Sequence, residues 1–371
     1  LGGSLMLPEA KAALEMASKQ YVNIDELMDD VGRRLAELTG AEWGMISTGA
    51  CACIVGATAA CMAGADPEKM LLLPDTTSMK NEVIIPSNHR NVYDRAIWMV
   101  GAKIVEVNTS EEMEAAINDR TAMIALYGRM FGGRGIPLEK MKEAVREYWT
   151  DISLVEKTPN AGGISLEDMV RIGKKHGIPL LVDAAAERPD FPNVYLDAGV
   201  DMVIYSGGKL MRGPQASGML LGPKDLCKAA FLNLAPHHAY GRPMKGGKEE
   251  IMSLLAAVDM WVNGRDHEAE WKEWGRKLKY INDAVASIPG VKTKAALTER
   301  LDDTTLLLHI DWDRNNVKIS PGEVHEQLRN GDPSIIIHGS RSGVEVHGYI
   351  MDTGTEVPIA KRLKEILSGA V

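Results

Sequence analysis

The strongest chemical signal in the sequence is an aspartate and a lysine, Asp183 and Lys209. Asp183 closes the apolar run Pro179-Leu180-Leu181-Val182-Asp183, and Lys209 follows the next run, Met202-Val203-Ile204-Tyr205, inside Ser206-Gly207-Gly208-Lys209. Both runs read as strands of a parallel sheet, and ligands of such sheets gather at the carboxyl ends of the strands. An acid and an amine facing one crevice there suit pyridoxal 5′-phosphate (PLP). The lysine amine would form a Schiff base with the cofactor aldehyde. The carboxylate would keep the pyridine nitrogen protonated, so that the ring serves as an electron sink. Taken singly, Asp183 reads as an ordinary strand-end turn residue and Lys209 as a solvated loop lysine. The two together with Gly207-Gly208, where the missing side chains let backbone approach a ligand, favour the functional reading.

Three weaker features point to the same crevice. Ser47-Thr48-Gly49-Ala50-Cys51-Ala52 follows a short apolar piece and opens a small-residue helix over 52–62. A helix N-terminus with a hydroxyl beside it suits a phosphate, although an ordinary capped helix would look the same. Ser206, three residues before Lys209, is a candidate second phosphate contact. His89, in Ser87-Asn88-His89-Arg90-Asn91 after the Val83–Pro86 strand, could stack on a pyridine ring, where a lone loop histidine is more often simply exposed.

The elements that must position these residues alternate. Strands are predicted at 83–86, 103–107, 122–127, 179–183 and 202–205, with helices over 111–118, 138–149 and 166–176 between them. That alternation implies an α/β fold with a mainly parallel sheet. An amphipathic helix over 25–38 has Asn23 as its cap and Thr39-Gly40 at its end, and Gly177 ends another. After about residue 250 the pattern changes to long helices (249–262, 268–288), strand-like pieces (304–310, 334–338, 343–351) and a closing helix over 358–367. The expected division is a large cofactor-binding domain, 1–250, whose segment 1–22 is a candidate to pack on the small domain, and a small α+β domain, 251–371. The stretch 151–160 reads as an inserted loop.

Composition narrows the classes of function. With 42 Lys and Arg against 51 Asp and Glu, the net charge of −9 disfavours general nucleic-acid binding, which depends on a positive surface. No segment of about 18 apolar residues suggests a membrane span, and no signal peptide opens the sequence. Cys51, Cys53, Cys61 and Cys227 form no CxxC pair and no zinc-ligand spacing, so no metal is expected. They read as free thiols of a cytoplasmic protein. The sequence opens at Leu1 rather than Met, leaving room for upstream residues. The glycine-rich stretch 241–250 lacks the Gly-Lys-Ser/Thr of a nucleotide-binding P-loop.

Leu181-Val182-Asp183-Ala184-Ala185-Ala186, the run Ser206-Gly207-Gly208-Lys209-Leu210-Met211-Arg212-Gly213-Pro214-Gln215-Ala216-Ser217-Gly218 and the segment Gly241-Arg242-Pro243-Met244-Lys245-Gly246-Gly247-Lys248-Glu249-Glu250 resemble the selenocysteine synthase-like family of PLP-dependent enzymes. The resemblance is strongest to the branch of D-glucosaminate-6-phosphate ammonia-lyases. It implies the aspartate aminotransferase-like fold, fold type I. It matches Lys209 to the Schiff-base lysine, Asp183 to the partner of the ring nitrogen, Thr48, Gly49 and Ala50 to the phosphate loop, and His89 to the stacking position. It also sets Ala185 against the other ring face and makes Arg341 the candidate for the substrate carboxylate, with His338 where a further arginine is expected. A homodimer or higher homo-oligomer is implied, with the segment 241–250 able to reach a neighbouring subunit's site.

The reaction implied is that of a lyase on a small amino-acid-like substrate. The α-proton is removed, a β-substituent leaves, and a 2-oxo acid and ammonia result. Selenocysteine synthase-like β-replacement, racemisation and aldol cleavage stay open as alternatives, since the same lysine supports each. The bacterial selenocysteine synthases carry an N-terminal tRNA-binding domain that this sequence does not show, so the tRNA-dependent reaction is not the one expected.

Overall fold

The computed structural model describes residues 3–128, 138–155, 163–300, 303–340 and 342–371. The chain divides into two compact units, Leu1–Gly135 with Thr158–Arg265, and Ile136–Lys157 with Asp266–Val371. The division falls after Arg265, and residues 136–157 go with the second unit.

The first unit is built on a seven-stranded sheet of β1 (Trp43–Ser47), β2 (Glu82–Pro86), β3 (Lys103–Val107), β4 (Thr121–Tyr127), β6 (Leu180–Asp183), β7 (Met202–Ser206) and β8 (Gly218–Gly222). Their order across the sheet is β1-β8-β7-β6-β4-β2-β3. β7, β6, β4, β2 and β3 are parallel, and β8 runs antiparallel to both β7 and β1. Every residue of β4 and β8 is buried, the pattern of strands covered on both faces. The helix Ala50–Ala63 is buried on nearly all sides, which explains its run of alanines and absence of charge. Helix Pro8–Ser18, which the sequence reading did not foresee, packs against helix Lys248–Asp259, and Ser253 Oγ donates to Ala10 O at 2.6 Å.

Local signals act as expected. Asn23 Oδ1 accepts from Asp25 N at 3.0 Å to start helix Ile24–Thr39, and Gly40 ends it in the left-handed region, φ 74°. Ser165 and Gly177 do the same for helix Leu166–His176.

The second unit carries a five-stranded sheet in the order β11 (His338–Gly339), β12 (Gly343–His347), β10 (Asp303–Trp312), β9 (Val291–Arg300) and β5 (Ser153–Val155). Trp271, Trp274, Leu278 and Ile281 of helix His267–Val285 share its core with Leu306, Leu308 and Val344 of the sheet. Met141 and Val145 of helix Leu138–Val145 join that core.

An α/β fold with a mainly parallel sheet and a smaller second domain is thus present. Several boundaries differ from expectation. The helix from Leu138 ends at Val145, and the strand from Gly343 stops at His347, where a tight turn over Gly348–Ile350 redirects it. The piece 334–338 is strand only at His338–Gly339, because Ile335 N donates to Leu328 O at 2.9 Å and is tied to the preceding helix. Part of 151–160 is a strand, β5, that pairs with β9.

Gly218 shows how tightly the large sheet is closed at its carboxyl edge. A side-chain carbon there would stand 2.5 Å from both Ala50 N and Gly49 C. Gly218→Ala is therefore expected to lower the unfolding free energy by about 2 kcal/mol, as for overpacking in a core. Urea denaturation measures this, and an unchanged midpoint would mean that the Gly49–Ala50 turn yields freely.

Candidate active site

Because β8 reverses the chain between β7 and β1, β1 points the same way as the parallel strands. Six strands therefore end at one edge. Across it stand, in order, the Thr48–Ala50 turn after β1, Gly218 at the start of β8, Ser206 and the Lys209 loop after β7, Asp183 at the end of β6, Tyr127 at the end of β4, and His89 in the turn after β2. Neighbouring strands lie about 4.8 Å apart, so adjacent members of this row are within reach of one ligand.

The Lys209 loop is held from several sides. Gly207 N donates to Ser217 O at 2.9 Å, Gly213 N to Gly207 O at 2.8 Å and Arg212 N to Lys209 O at 3.0 Å. The N-terminal segment fastens it again: Ser4 Oγ donates to Lys209 O at 2.6 Å, and Leu7 N to Arg212 O at 2.9 Å. Arg265 adds a bond to Leu210 O at 2.7 Å. The backbone of Lys209 is thus fixed, while its Nζ makes no hydrogen bond or ion pair among the described residues. An immobilised stem with an uncommitted amine is what covalent attachment of an aldehyde requires.

Asp183 lies within electrostatic reach of Lys209. Loss of water around its carboxyl pushes its pKa up to about 6, against the opposing pull of the Ala185 N–H and the Lys209 charge. Ala185 N donates to Asp183 Oδ1 at 3.0 Å, which aims the carboxyl and sets Ala185 directly beside it. A desolvated carboxyl with one N–H donor fits a cationic ring nitrogen, which would supply the missing charge partner.

The turn after β1 has the form of an anion cradle. Gly49 adopts φ 94° and caps helix Ala50–Ala63 without a side-chain bond, and the space where its side chain would stand is open. The first N–H groups of the helix are left for a ligand. Gly246, from the glycine-rich segment, approaches this turn in the same chain; a side-chain carbon there would lie 3.6 Å from Thr48 N. Cys51, one residue into the helix, is exposed, and its thiol is pushed up by burial and by Asp183 while Lys209 pulls it down. It therefore shares the site, as its position in the sequence allowed. Cys53 and Cys227 are buried.

His89 is 4% exposed, and its Nδ1 lies 2.8 Å from Tyr127 O. A carbonyl only accepts, so Nδ1 carries the proton and the ring plane is set from one side. Ser206 pairs with Gly218 at the same edge. Arg341 lies outside the described residues; in the second unit, the exposed His338 packs its ring 4.6 Å from that of His347.

Sequence reading missed Tyr127. It is the register partner of Asp183 in the β4–β6 pair, so the two side chains leave the same face of the sheet. The strand-end argument that identified Asp183 applies equally to it. Among the described residues no group of three or more His, Cys, Asp or Glu could hold a metal ion.

A fixed lysine with an amine unpaired among the described residues, a desolvated aspartate on the next strand, an open helix N-terminus and a buried histidine at one sheet edge suit a PLP-dependent enzyme of fold type I. The comparisons agree. Residues 133–305 match the aminotransferase class-V family model. Aspartate aminotransferase from Thermus thermophilus superposes over 99% of this chain and 90% of its own at TM-score 0.50, with 15% identity, which shows the shared fold. More particularly, the chain is similar to the D-glucosaminate-6-phosphate ammonia lyase of Salmonella typhimurium, at 28% identity over 100% of this chain and 93% of that protein. A solved D-glucosaminate-6-phosphate ammonia-lyase structure superposes at TM-score 0.80 with 26% identity, covering 99% of this chain and 92% of the other. The 5′-C-glycyluridine monooxygenase-decarboxylase of a Streptomyces species is also 28% identical over 99% of this chain and 87% of its own. The L-seryl-tRNA(Sec) selenium transferase of Proteus mirabilis matches 70% of this chain at 24% identity, and the match spans 53% of that protein. The resemblance to selenocysteine synthase-like proteins therefore holds, the cofactor is PLP, and the chemistry is of the lyase type.

The raised pKa of Asp183 has a measurable consequence in cofactor-free protein. The folded state holds this proton up to about pH 6, whereas the ordinary value is 3.8. Stability therefore falls as pH rises from about 4 to 6, and the full cost, up to about 3 kcal/mol, is present above pH 6. Asp183→Asn should remove this component. Denaturation of both proteins from pH 4 to 7 measures it, and parallel curves would show that the carboxyl is not desolvated.

Proposed function

We propose that the chain is a PLP-dependent ammonia-lyase that acts on a β-hydroxy amino acid and releases a 2-oxo acid and ammonia. The observation that carries this reading is the uncommitted amine of Lys209 beside desolvated Asp183, in a chain similar over its whole length to an ammonia lyase. Bound PLP supplies an aldehyde that links to amines and a protonated ring that draws electrons from the substrate.

The chain's own residues then divide the work. Lys209 Nζ would hold the cofactor through its aldehyde and, when freed by the substrate amine, would take the α-proton. Asp183 would pair with the ring nitrogen and keep it protonated. Thr48, Gly49 and Ala50, with Ser206, would hold the phosphate. His89 would stack on the ring, with Ala185 against its other face. Arg341 would bind the substrate carboxylate. Loss of the β-hydroxyl as water, followed by uptake of water at the nitrogen-bearing carbon, leaves ammonia and a 2-oxo acid, so the net reaction neither gains nor loses oxygen.

The match to a monooxygenase-decarboxylase supports a second reading, loss of the substrate carboxylate with consumption of O₂. A subunit partner fits the site as well. Just beyond His89, the side chains of Val92, Tyr93, Trp98 and Met99 are all exposed, an apolar stretch suited to a second copy of the chain in a homodimer or larger assembly. Among the described residues no helix is long and apolar enough to cross a membrane, and the four free cysteines suit a cytoplasmic enzyme.

Two measurements test the reading. Lys209→Ala should abolish the visible absorbance that PLP gives the wild-type protein; a surviving band would remove Lys209 from its role. The loaded wild-type enzyme, offered D- and L-β-hydroxy amino acids with and without phosphate groups, should release 2-oxo acid and ammonia in equal amounts without taking up O₂. Release of CO₂ with O₂ uptake would favour the second reading, and no product from any of them would overturn the first.

A further inference from the structure

The direction in which the Lys209 side chain leaves the backbone is set by the two peptide planes that meet at its Cα. The carbonyls of those planes are Gly208 O and Lys209 O, and one residue reaches both. Ser4 N donates to Gly208 O at 3.0 Å, and Ser4 Oγ donates to Lys209 O at 2.6 Å. With both planes held, φ and ψ of Lys209 are no longer free to turn, and neither is the stem of its side chain. The second lone pair of Lys209 O is taken by Arg212 N at 3.0 Å, so this carbonyl is fully used.

The loop needs outside help to keep this shape. Arg212 has φ 58°, the only positive value at a non-glycine residue among the described residues. A residue with a side chain stays in that left-handed region only when its surroundings enforce it. The segment around Ser4 supplies that enforcement: Leu7 N donates to Arg212 O at 2.9 Å, and Arg212 Nε donates to Leu5 O at 2.9 Å. The segment also lies directly against the loop backbone. Gly3 adopts φ 86°, and a side-chain carbon there would stand 2.7 Å from Gly208 O. Helix Pro8–Ser18, which follows, is fastened to helix Lys248–Asp259 by the bond from Ser253 Oγ to Ala10 O at 2.6 Å. Ser4 is thus held to the body of its unit by a helix of its own and to the lysine loop by its bonds.

We propose that Ser4 is a positioning residue of the site, pinning the two peptide planes beside the Lys209 Cα so that the amine leaves the loop in one fixed direction. A single prepared backbone conformation then replaces a search over many, which favours attachment of an aldehyde ligand and slows its loss. This deepens the proposed function, and its cofactor half rests on PLP binding at Lys209.

The test uses the full chain with and without PLP, and neither readout is turnover. In cofactor-free protein, Ser4→Ala should speed hydrogen exchange of the Arg212 and Gly213 amides by about tenfold, the equivalent of one lost hydrogen bond, while the amides of β4 and β6 keep their wild-type rates. The same substitution should weaken PLP binding about fivefold to tenfold, read by titration of the visible absorbance. Ser4→Thr keeps the hydroxyl and should return both readouts close to wild type. A merely structural Ser4 would raise exchange throughout the first unit in step with a lower thermal midpoint, and that result overturns the proposal. Faster loop exchange with unchanged PLP affinity also overturns it, because the loop would then move without consequence for the amine. Wild-type behaviour in both readouts does the same. If wild-type protein takes up no PLP at all, the cofactor reading fails instead; the exchange comparison then decides alone whether Ser4 holds the loop, and unchanged rates refute that. Should Ser4→Ala fail to fold, Ser4→Cys, of similar size and with only a weak S–H donor, takes its place with the same expected outcomes.

Discussion

Strand direction is the constraint on which the site depends. A side chain can join this constellation only if its strand ends at the carboxyl edge of the large sheet. β1 would be excluded if it followed β8 in sense; instead β8 runs against both neighbours, and the Thr48–Ala50 turn comes to the same edge as Lys209 and Asp183. That reversal has a steric price at Gly218, where strand and turn meet too closely for any side chain. The parallel strands need no such device, because each returns through a helix and ends where the others end.

Burial then converts position into chemistry. Asp183 would be an ordinary acid in water. At the strand end it loses most of its hydration, gains one backbone donor, and feels the Lys209 charge without forming an ion pair with it among the described residues. A direct salt bridge would satisfy both groups and leave neither for a ligand. The site instead keeps the acid and the amine within electrostatic reach but unpaired among the described residues, on a lysine loop whose backbone is held from several sides. The N-terminal residues contribute to this: Ser4 and Leu7, far away in sequence, bond to the carbonyls of Lys209 and Arg212 and hold the loop from outside the sheet.

How much of this was legible in the sequence follows from the range of the forces involved. Asp183, Lys209 and His89 were nominated because each ends or closely follows an apolar run, a local pattern that needs no tertiary knowledge. Helix 24–39 was legible for the same reason, through Asn23 and Gly40. β8 was not, because Gly-Met-Leu-Leu-Gly is short, lacks alternation and carries a glycine at each end; only its pairing on both sides makes it a strand. β5 was hidden in what read as an inserted loop, since its pairing with β9 joins residues more than a hundred positions apart. The N-terminal fastening of the lysine loop was invisible for the same reason. Tyr127 is different: its strand was read correctly, and only its place beside Asp183 was missed, because an aromatic at a strand end looks like core until the strand register is seen.

Asp183 also bears on the reactions open to a lysine of this kind. A ring held protonated at its nitrogen accepts electrons readily, and that favours any pathway in which the α-proton leaves first. The raised pKa of Asp183 belongs to the cofactor-free protein, where its carboxyl lacks a charge partner; a cationic ring nitrogen beside it would favour the carboxylate form that keeps that nitrogen protonated. Replacement, racemisation and elimination share that first step and part only afterwards, by what lies over the substrate's β-carbon. On the proposed reading the residues at the sheet edge set the common first step, and the choice among products falls to groups that touch the substrate itself, among which Arg341 is the one the sequence nominates.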